Sequence, residues 1–342
     1  MNKRLILIIV TLSLVFSGMV GYHYYQHIFG NLINKTGAIY IRSTDNIDDV
    51  EKALNDFIGN ENIFFWLAQK KNYKNPKAGK YILTEGMSLN DVINLLRSGN
   101  QTPVKVSFNN QDTLEKFSGR VAEQLELDSI SILEGFKDPV FLNTNKLSES
   151  SVLEILIPNT YEFYWNVSIE KFRTNMLKEY RKFWNKDRLQ KAAQINMSPS
   201  QIMTLASIVQ KETAKVSERP IVAGLYLNRL KKNIPLQADP TIIYVLKKKN
   251  GEKFQVKRVL LKDLKIPSPF NTYLNRGLPP NLISMPDISS INAVLNFQKH
   301  NYLYMCASVT NVGYHEFAST LKKHNNNAVK YQRWLNKRGV NR

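Results

Sequence analysis

The chain is 342 residues long, which is enough for two or three domains. Its only cysteine is Cys306, so an internal disulfide is excluded. Lysine and arginine outnumber aspartate and glutamate by 47 to 28, and the resulting formal charge of +19 indicates an anionic partner.

The first predicted element is a membrane-spanning helix. Residues 5–22 are uncharged and mostly Leu, Ile and Val, and their length is at the short end for a bilayer span. Lys3 and Arg4 precede them, so the positive-inside rule places the N-terminus in the cytoplasm. A cleaved signal peptide is the alternative, although residues 17–19 make a poor cleavage site. We expect residues 1–29 to be a cytoplasmic N-terminus and a single-pass anchor in the cytoplasmic (inner) membrane.

The anchor determines where the remaining chain is expected. The residues after 29 are predicted to lie on the periplasmic, extracytoplasmic side, where a protein does not normally meet nucleic acid. Their positive charge therefore favours anionic lipid head groups, and we expect no nucleic-acid partner.

The next predicted region, residues 30–125, contains a weak internal repeat of strand, polar turn and amphipathic helix. The strands are predicted at 38–42, 79–83 and 104–108, and the helices at 47–57, 89–96 and 114–125. Asp45, Ser88 and Thr113 stand where helix N-caps belong. Because such short units cannot bury a core alone, we expect them to pack together as small α+β modules. Residues 126–150, rich in Ser, Asp and Asn, are predicted to connect this region to a domain at 151–342.

A helix predicted over residues 198–213 carries a glutamate in a costly position. One face of it follows the i, i+3, i+4, i+7 spacing of a buried stripe: Ile202, Leu205, Ala206 and Val209. Glu212 continues that stripe, three residues after the last of them. A carboxyl group facing a core tends to have a raised pKa, which a general acid working near neutral pH needs. The alternative is a frayed last turn that exposes Glu212 to solvent.

Short motifs surround that helix in a fixed order. They are ASIVQKET at 206–213, SERP at 217–220, NRL at 228–230, LQADPT at 236–241, NTY at 271–273, GLPP at 277–280, GYHEF at 313–317 and HN at 324–325. This series resembles the catalytic domain of the YceG-like endolytic murein transglycosylases, over roughly residues 152–332. Any one motif would be a weak signal, but several in the family's order make a specific one.

The chain departs from the family pattern at three positions. Gln210 stands where the family often has a first glutamate, which leaves Glu212 as the only carboxylate of that motif. Ala238 replaces a threonine, and Asn159 replaces an aspartate in the segment at 157–161. The last exchange removes one candidate for a second acidic group.

The resemblance implies an α+β protein with three parts. A transmembrane helix is followed by a LysM-like α+β region, whose match is centred on residues 78–88, and then by a mixed α+β catalytic domain with a lysozyme-like catalytic helix. LysM modules bind glycans that contain N-acetylglucosamine. The alternative for this region is a spacer or docking module that touches no sugar.

The resemblance also implies a lytic reaction. Glu212 would protonate the bond between N-acetylmuramic acid (MurNAc) and N-acetylglucosamine (GlcNAc) within nascent glycan strands. The C6 hydroxyl of the muramic residue would then attack C1, with Glu212 as the base, to give a 1,6-anhydro end. Glycosidases usually need two carboxylates, but here the nucleophile is already part of the substrate. No metal or other cofactor is expected.

Other motif residues are candidates for substrate binding. Gln237, Asn271 and Thr272 carry polar groups suited to sugar hydroxyl and acetamide groups, and Tyr273 suits stacking on a pyranose face. Asp239 either orients the substrate or shapes a turn before Pro240. The GLPP motif is expected to shape the groove. For Asn271 and Tyr273, the alternatives are roles in a turn and in the core.

Two other functions remain open from the sequence. A hydrolytic muramidase would use the same acid with water as the nucleophile and would need a second essential carboxylate. A non-catalytic scaffold would bind glycan for the synthesis machinery. The partners implied by the resemblance are peptidoglycan glycan strands with their anionic stem peptides, the cytoplasmic membrane and penicillin-binding synthases.

Overall fold

The computed structural model describes residues 3–58, 63–256 and 258–337. The chain forms two compact units. The first unit comprises Met1–Val106, Ala122–Leu127 and Tyr161–Ser168, and the second comprises Ser107–Val121, Asp128–Thr160 and Ile169–Arg342. The division into four parts drawn from the sequence stays a prediction.

The N-terminal helix α1 (Lys3–Phe29) is long and apolar enough to cross a membrane. Its most apolar stretch of 18 residues has a mean hydropathy of 2.3. No part of that stretch is buried in the protein. The chain then enters the first unit directly. Ile28 belongs to that unit's core, and the backbone amides of Leu32 and Ile33 both donate to the Met87 carbonyl oxygen.

The first unit is built on a two-stranded antiparallel sheet in which Gly37 faces Leu83. Its elements in chain order are β1 (Gly37–Ile41), α2 (Ile47–Ile58), α3 (Phe64–Lys70), β2 (Gly79–Leu83) and α4 (Leu89–Ser98). Every second residue of β2 is buried, so one face of the sheet covers the core. The predicted strand–turn–helix units at 38–57 and 79–96 are therefore confirmed.

The predicted helix caps are confirmed in two of three cases. Ser88 caps α4, and Thr113 accepts a hydrogen bond from the Lys116 amide. The prediction of a cap at Asp45 was wrong by one position. The cap is Asn46, whose Oδ1 accepts hydrogen bonds from the backbone amides of Asp48 and Asp49.

The rest of the chain is mostly helical. It contains β3 (Val104–Phe108), α5 (Leu114–Ala122), α6 (Ser129–Lys137), α7 (Pro139–Thr144), β4 (Asn159–Phe163), α8 (Ile169–Phe183), α9 (Lys186–Gln194), α10 (Pro199–Glu212), α11 (Arg219–Lys231), α12 (Asp239–Asn250), α13 (Ile288–Leu295), β5 (Tyr304–Ala307), β6 (His315–Ala318) and α14 (Leu321–Lys337). β3 pairs with β4, and β5 pairs with β6 in an antiparallel sheet. The α+β composition predicted from the sequence is confirmed.

Helix α10 is the centre of the second unit. Residues 202–210 are all buried, so the helix is enclosed on all sides and not on the single face that the sequence predicted. Its start is defined by Ser198, which forms a capping box with Gln201, and by a proline in the first turn. It packs against α9, α11, α12 and α13. The helix thus carries Glu212 outward from the core on a rigid support.

Gly224 of α11 packs closely against the chain at Gln298 and His300. A Cβ added at Gly224 would collide with the Gln298 carbonyl oxygen and would lie 2.8 Å from a nitrogen of the His300 ring. We expect Gly224→Ala to lower the free energy of unfolding by about 1–3 kcal/mol, as overpacked cores do. Urea unfolding measures this, with Gly119→Ala as the control, because Gly119 lies in α5 with no atom within 4 Å of an added Cβ. Equal stability of the two variants would contradict the packing described.

Candidate active site

Glu212, the last residue of α10, opens onto a cleft of about 300 Å³ in the second unit. The cleft is formed by α10, α11, the segment that leads into α12, and the strands β5 and β6. Its lining includes three predicted site residues beside Glu212, namely Gln237, Asp239 and Tyr273, and several that were not predicted: Tyr226, Arg229, Tyr304, Cys306 and His324 among them.

The carboxyl group of Glu212 is partly buried and held in place. The hydroxyl of Tyr226 donates to Glu212 Oε1 at 2.5 Å. Burial raises the pKa of Glu212 to about 7, the Tyr226 hydrogen bond lowers it, and the negative charge of Asp239 raises it. Glu212 is therefore half-protonated near neutral pH. The last turn of α10 is ordered, and the alternative of a frayed, solvated Glu212 is excluded.

Asp239 begins α12 and lies on the cleft wall. Its Oδ1 accepts a hydrogen bond of 2.5 Å from the Tyr273 hydroxyl. Burial and then Asp239 raise the pKa of Tyr273 well above its ordinary value, so this phenol stays a neutral donor. The structure thus brings Glu212, Asp239 and Tyr273 to one cavity, and their roles toward a substrate stay predictions.

Gln237 is exposed in the cleft and is held by a buried arginine. Its backbone has a φ of +53°, in the left-handed region, and its Oε1 accepts from Arg229 Nη2 at 2.5 Å. Arg229 also donates to the carbonyls of Pro235 and Leu303, both at 2.9 Å. One guanidinium therefore fixes the loop before α12 against the chain entering β5. The only sequence signal for Arg229 was its place in the NRL motif.

Asn271 and Thr272 lie behind the cleft. Asn271 is fully buried; its amide donates to the carbonyls of Leu264 and Ile266, and its Oδ1 accepts from the Tyr273 amide. Thr272 is also buried, and its hydroxyl accepts from the Ala238 amide. Their polar groups are used within the fold. The predicted glycan contacts of Asn271 and Thr272 therefore give way to a structural role, which holds Tyr273 and the segment entering α12.

The GLPP motif does not reach the Glu212 cleft. Residues 277–280 line a separate cavity of about 880 Å³, on the side of α11 that carries Leu227, Asn228 and Lys231. Tyr226 and Arg229 of the same helix face the Glu212 cleft. Because the two cavities lie on different sides of one helix, the predicted role of GLPP in shaping the catalytic groove is not what the geometry supports.

A buried carboxylate and a histidine form a further pair that the sequence did not reveal. Glu218 is only 3% exposed, and its two oxygens accept from the His315 backbone amide at 2.6 Å and from the His315 ring Nδ1 at 2.8 Å. The bond at Nδ1 fixes the ring orientation, as in other carboxylate–histidine pairs. His315 also lines the cleft. Glu218 and His315 are 97 positions apart, and no local pattern links them.

Gln210 and Cys306, both noted in the sequence, lie in different environments in the structure. Gln210 is buried, and its side-chain oxygen accepts from the Asp287 amide at the start of α13, so it supports the core and does not line the cleft. Cys306 lies in β5, is half-buried and lines the cleft. Among the described residues, no group of His, Cys, Asp or Glu side chains is arranged to hold a metal ion.

Removing each of the two neighbours of Glu212 should shift its pKa in opposite directions. Tyr226→Phe removes a hydrogen bond that favours the carboxylate, so the pKa of Glu212 should rise above about 7. Asp239→Asn removes a nearby negative charge, so the pKa should fall. Carbon NMR of side-chain-labelled glutamate, with Glu212→Gln to assign the signal, measures both shifts. Asp187→Asn, at an exposed position of α9, is the control and should change nothing. Shifts in one common direction would contradict this account.

Comparisons with known proteins show which family this chain resembles and which solved structure shares its fold. A profile of the YceG-like family matches residues 39–330, which begins well before residue 152, where the motif resemblance began. The endolytic murein transglycosylase of Bacillus subtilis strain 168 is 31% identical over 295 residues, or 81% of this chain and 79% of that protein. The endolytic murein transglycosylase of Streptococcus pneumoniae serotype 2 strain D39 is 26% identical, over 94% of this chain and 64% of its own length.

A solved structure shares the fold. The crystal structure of a yceG-like protein from Listeria monocytogenes, at 2.6 Å, superposes with a TM-score of 0.54 and 29% identity, covering 86% of this chain and 99% of that one. The family match, the relatives and this neighbour each extend over most of the chain. This chain therefore belongs to the YceG-like family.

Proposed function

We propose that this protein is a membrane-anchored endolytic lytic transglycosylase of peptidoglycan. It cleaves the β-1,4 bond between MurNAc and GlcNAc within nascent glycan strands and leaves a 1,6-anhydro-MurNAc end. Its family and the names of its relatives support a peptidoglycan transglycosylase. The single observation that carries the proposal is Glu212, a carboxyl group with a pKa of about 7 at the wall of a cleft.

The first step is general acid catalysis. Protonated Glu212 gives its proton to the glycosidic oxygen as the bond from the muramic C1 to that oxygen breaks. The GlcNAc side leaves with its O4 hydroxyl restored, and an oxocarbenium-like centre remains at C1. The hydroxyl of Tyr226 stabilises the Glu212 carboxylate that this step produces, because it already donates to Oε1.

The second step closes the anhydro ring. The C6 hydroxyl of the same sugar attacks C1, and its proton passes to the Glu212 carboxylate, which restores the acid for the next cycle. No water is consumed. The nucleophile is held within the substrate, so proximity replaces the second carboxylate that hydrolytic glycosidases use.

The neighbouring residues have supporting roles in this scheme. The negative charge of Asp239 helps Glu212 to keep its proton near neutral pH. It also stabilises the positive charge that develops at C1. Tyr273 and Gln237 present a phenol and an amide to the sugar from the cleft wall. Asn271 and Thr272 act from behind by positioning Tyr273 and the start of α12.

The apolar helix α1 supports a proposal for the location of the protein. We propose that it is a single-pass anchor in the cytoplasmic membrane with its N-terminus in the cytoplasm, since Lys3 and Arg4 precede the apolar stretch. The catalytic unit then meets glycan strands close to the membrane, where penicillin-binding synthases are proposed partners. A LysM-like first unit is also part of the proposal. Its support is the match at 78–88, which spans β2 and the turn into α4.

Hydrolysis is the second candidate, and the position of Asp239 favours it. This carboxylate shares the cleft with Glu212 and is close enough to raise its pKa. In that mechanism Asp239 would activate a water molecule as the nucleophile, and the product would have a reducing end. The Tyr273 hydroxyl already occupies one oxygen of Asp239, which favours the lytic route.

Product analysis tests the proposal. Peptidoglycan is incubated with the full chain in detergent micelles, and the released fragments are identified by mass spectrometry. We expect anhydro ends, and we expect Glu212→Gln to lose at least about 100-fold in activity because no other group replaces the acid. Glu134→Gln, an exposed glutamate of α6, is the matched control and should remain fully active.

Each other outcome points to a different function. Reducing ends that disappear in both Glu212→Gln and Asp239→Asn would establish the hydrolase. Glycan binding without any cleavage by the folded protein would establish the scaffold. Full activity of Glu212→Gln would remove Glu212 from the mechanism.

The hydrogen bonds between Glu218 and His315 lead to a separate prediction. If Glu218 positions His315 toward the glycan, Glu218→Gln should lower kcat/KM by roughly 10- to 100-fold, because small misplacements in a site are costly. His315→Gln places an amide near the outer ring nitrogen and should keep more activity than His315→Ala. Steady-state kinetics on a defined glycan measures this, with thermal unfolding as the check on folding. Equal loss in the two His315 variants would indicate a purely structural residue.

A further inference from the structure

The chain between α1 and the core of the first unit is too short to separate that unit from a bilayer. A hydrocarbon core of about 30 Å takes about 20 helical residues, so a span that starts at Leu5 reaches Tyr24. Ile28 follows four residues later, about 6 Å along the helix, and is already part of the first unit's core. If α1 crosses the membrane as proposed above, the surface of the first unit next to Tyr24 lies at the bilayer surface.

Helix α3 provides that surface. Its inner face is buried through Phe64 and Leu67, while Phe65 and Trp66 point outward and are 40% and 44% exposed. The ring of Trp66 lies 6.2 Å from the ring of Tyr24, centroid to centroid. Trp66 is therefore close to the depth where α1 leaves the hydrocarbon, and Phe65 is its exposed neighbour on α3. Tryptophan and tyrosine favour this boundary, because their rings are apolar and their N–H and O–H groups reach water.

The charged side chains of the segment that contains α3 and β2 are all positive. Residues 63–84 include five lysines and no aspartate or glutamate: Lys70, Lys71, Lys74, Lys77 and Lys80. Lys70 Nζ lies 5.9 Å from the centre of the Trp66 ring, one turn further along the same exposed face. Within the described part of the chain, Lys70 and Lys74 take part in no salt bridge. Such lysines next to a bilayer attract anionic head groups.

We infer that the exposed face of α3 is a second membrane contact of this protein. Phe65 and Trp66 enter the interfacial layer of the bilayer that α1 crosses, and Lys70 pairs with the head groups of anionic lipids. A single helix leaves the first unit free to rotate about its axis, whereas two contacts hold it in one orientation. The first unit is thus a membrane-docking module on this face, an inference that rests on the proposed anchoring by α1.

Tryptophan quenching by brominated lipid tests the contact. The full chain is reconstituted in vesicles of phosphatidylglycerol and phosphatidylcholine whose acyl chains carry bromine, and its emission is compared with that in unbrominated vesicles. The chain has four tryptophans, so the variants assign the signal. We expect quenching in the wild type and a clear loss of it in Trp66→Phe. Trp165→Phe is the matched control, because Trp165 packs against Tyr40 in the same unit and should not report the bilayer.

The outcomes separate this inference from the anchoring on which it rests. Equal quenching of the wild type and Trp66→Phe, with the chain retained in the vesicles after alkaline extraction, would overturn the α3 contact alone. Release of the chain by alkaline extraction would overturn the anchoring. Lys70→Glu combined with Lys74→Glu should weaken the quenching, as should vesicles of phosphatidylcholine only. Unchanged quenching in both cases would overturn the preference for anionic lipids.

Discussion

The partial burial of one carboxyl group, that of Glu212, is the constraint around which the cleft is organised. A carboxylate without compensation is costly inside a protein, and Glu212 lies two positions after the nine buried residues 202–210 of α10. The cost is met in two ways: the group keeps its proton up to about pH 7, and Tyr226 donates to it from the neighbouring helix. The same constraint that makes this position unfavourable for stability gives Glu212 the pKa that the proposed proton donor needs.

The groups around Glu212 are held by buried side chains beside and behind the cleft. Arg229 joins the loop carrying Gln237 to the chain that enters β5. Asn271 and Thr272 hold the turn that carries Tyr273. The proposed site needs such support, since a displaced acid or a displaced sugar would lose catalysis through geometry alone.

Several features of the site were readable from the sequence and others were not. Helical spacing placed Glu212 on the buried stripe correctly, but it did not show that α10 is enclosed on all sides. The other faces carry Thr204 and Ser207, whose hydroxyls bond to backbone carbonyls within the helix and are therefore buried without appearing apolar. In the same way, the amide of Asn271 suits a sugar or a turn equally well, and only its buried surroundings decide for the turn.

The sequence by itself determined the order of the elements, the apolar helix at the N-terminus, the strand–turn–helix units and the helix that ends at Glu212. These follow from local periodicity, from caps and from the spacing of short motifs, all of which act over a few residues. Only the tertiary structure decided which groups meet Glu212. Tyr226, Asp239 and His315 come from segments 14 to about 100 residues away, and their meeting depends on how buried helices pack, which no local pattern records.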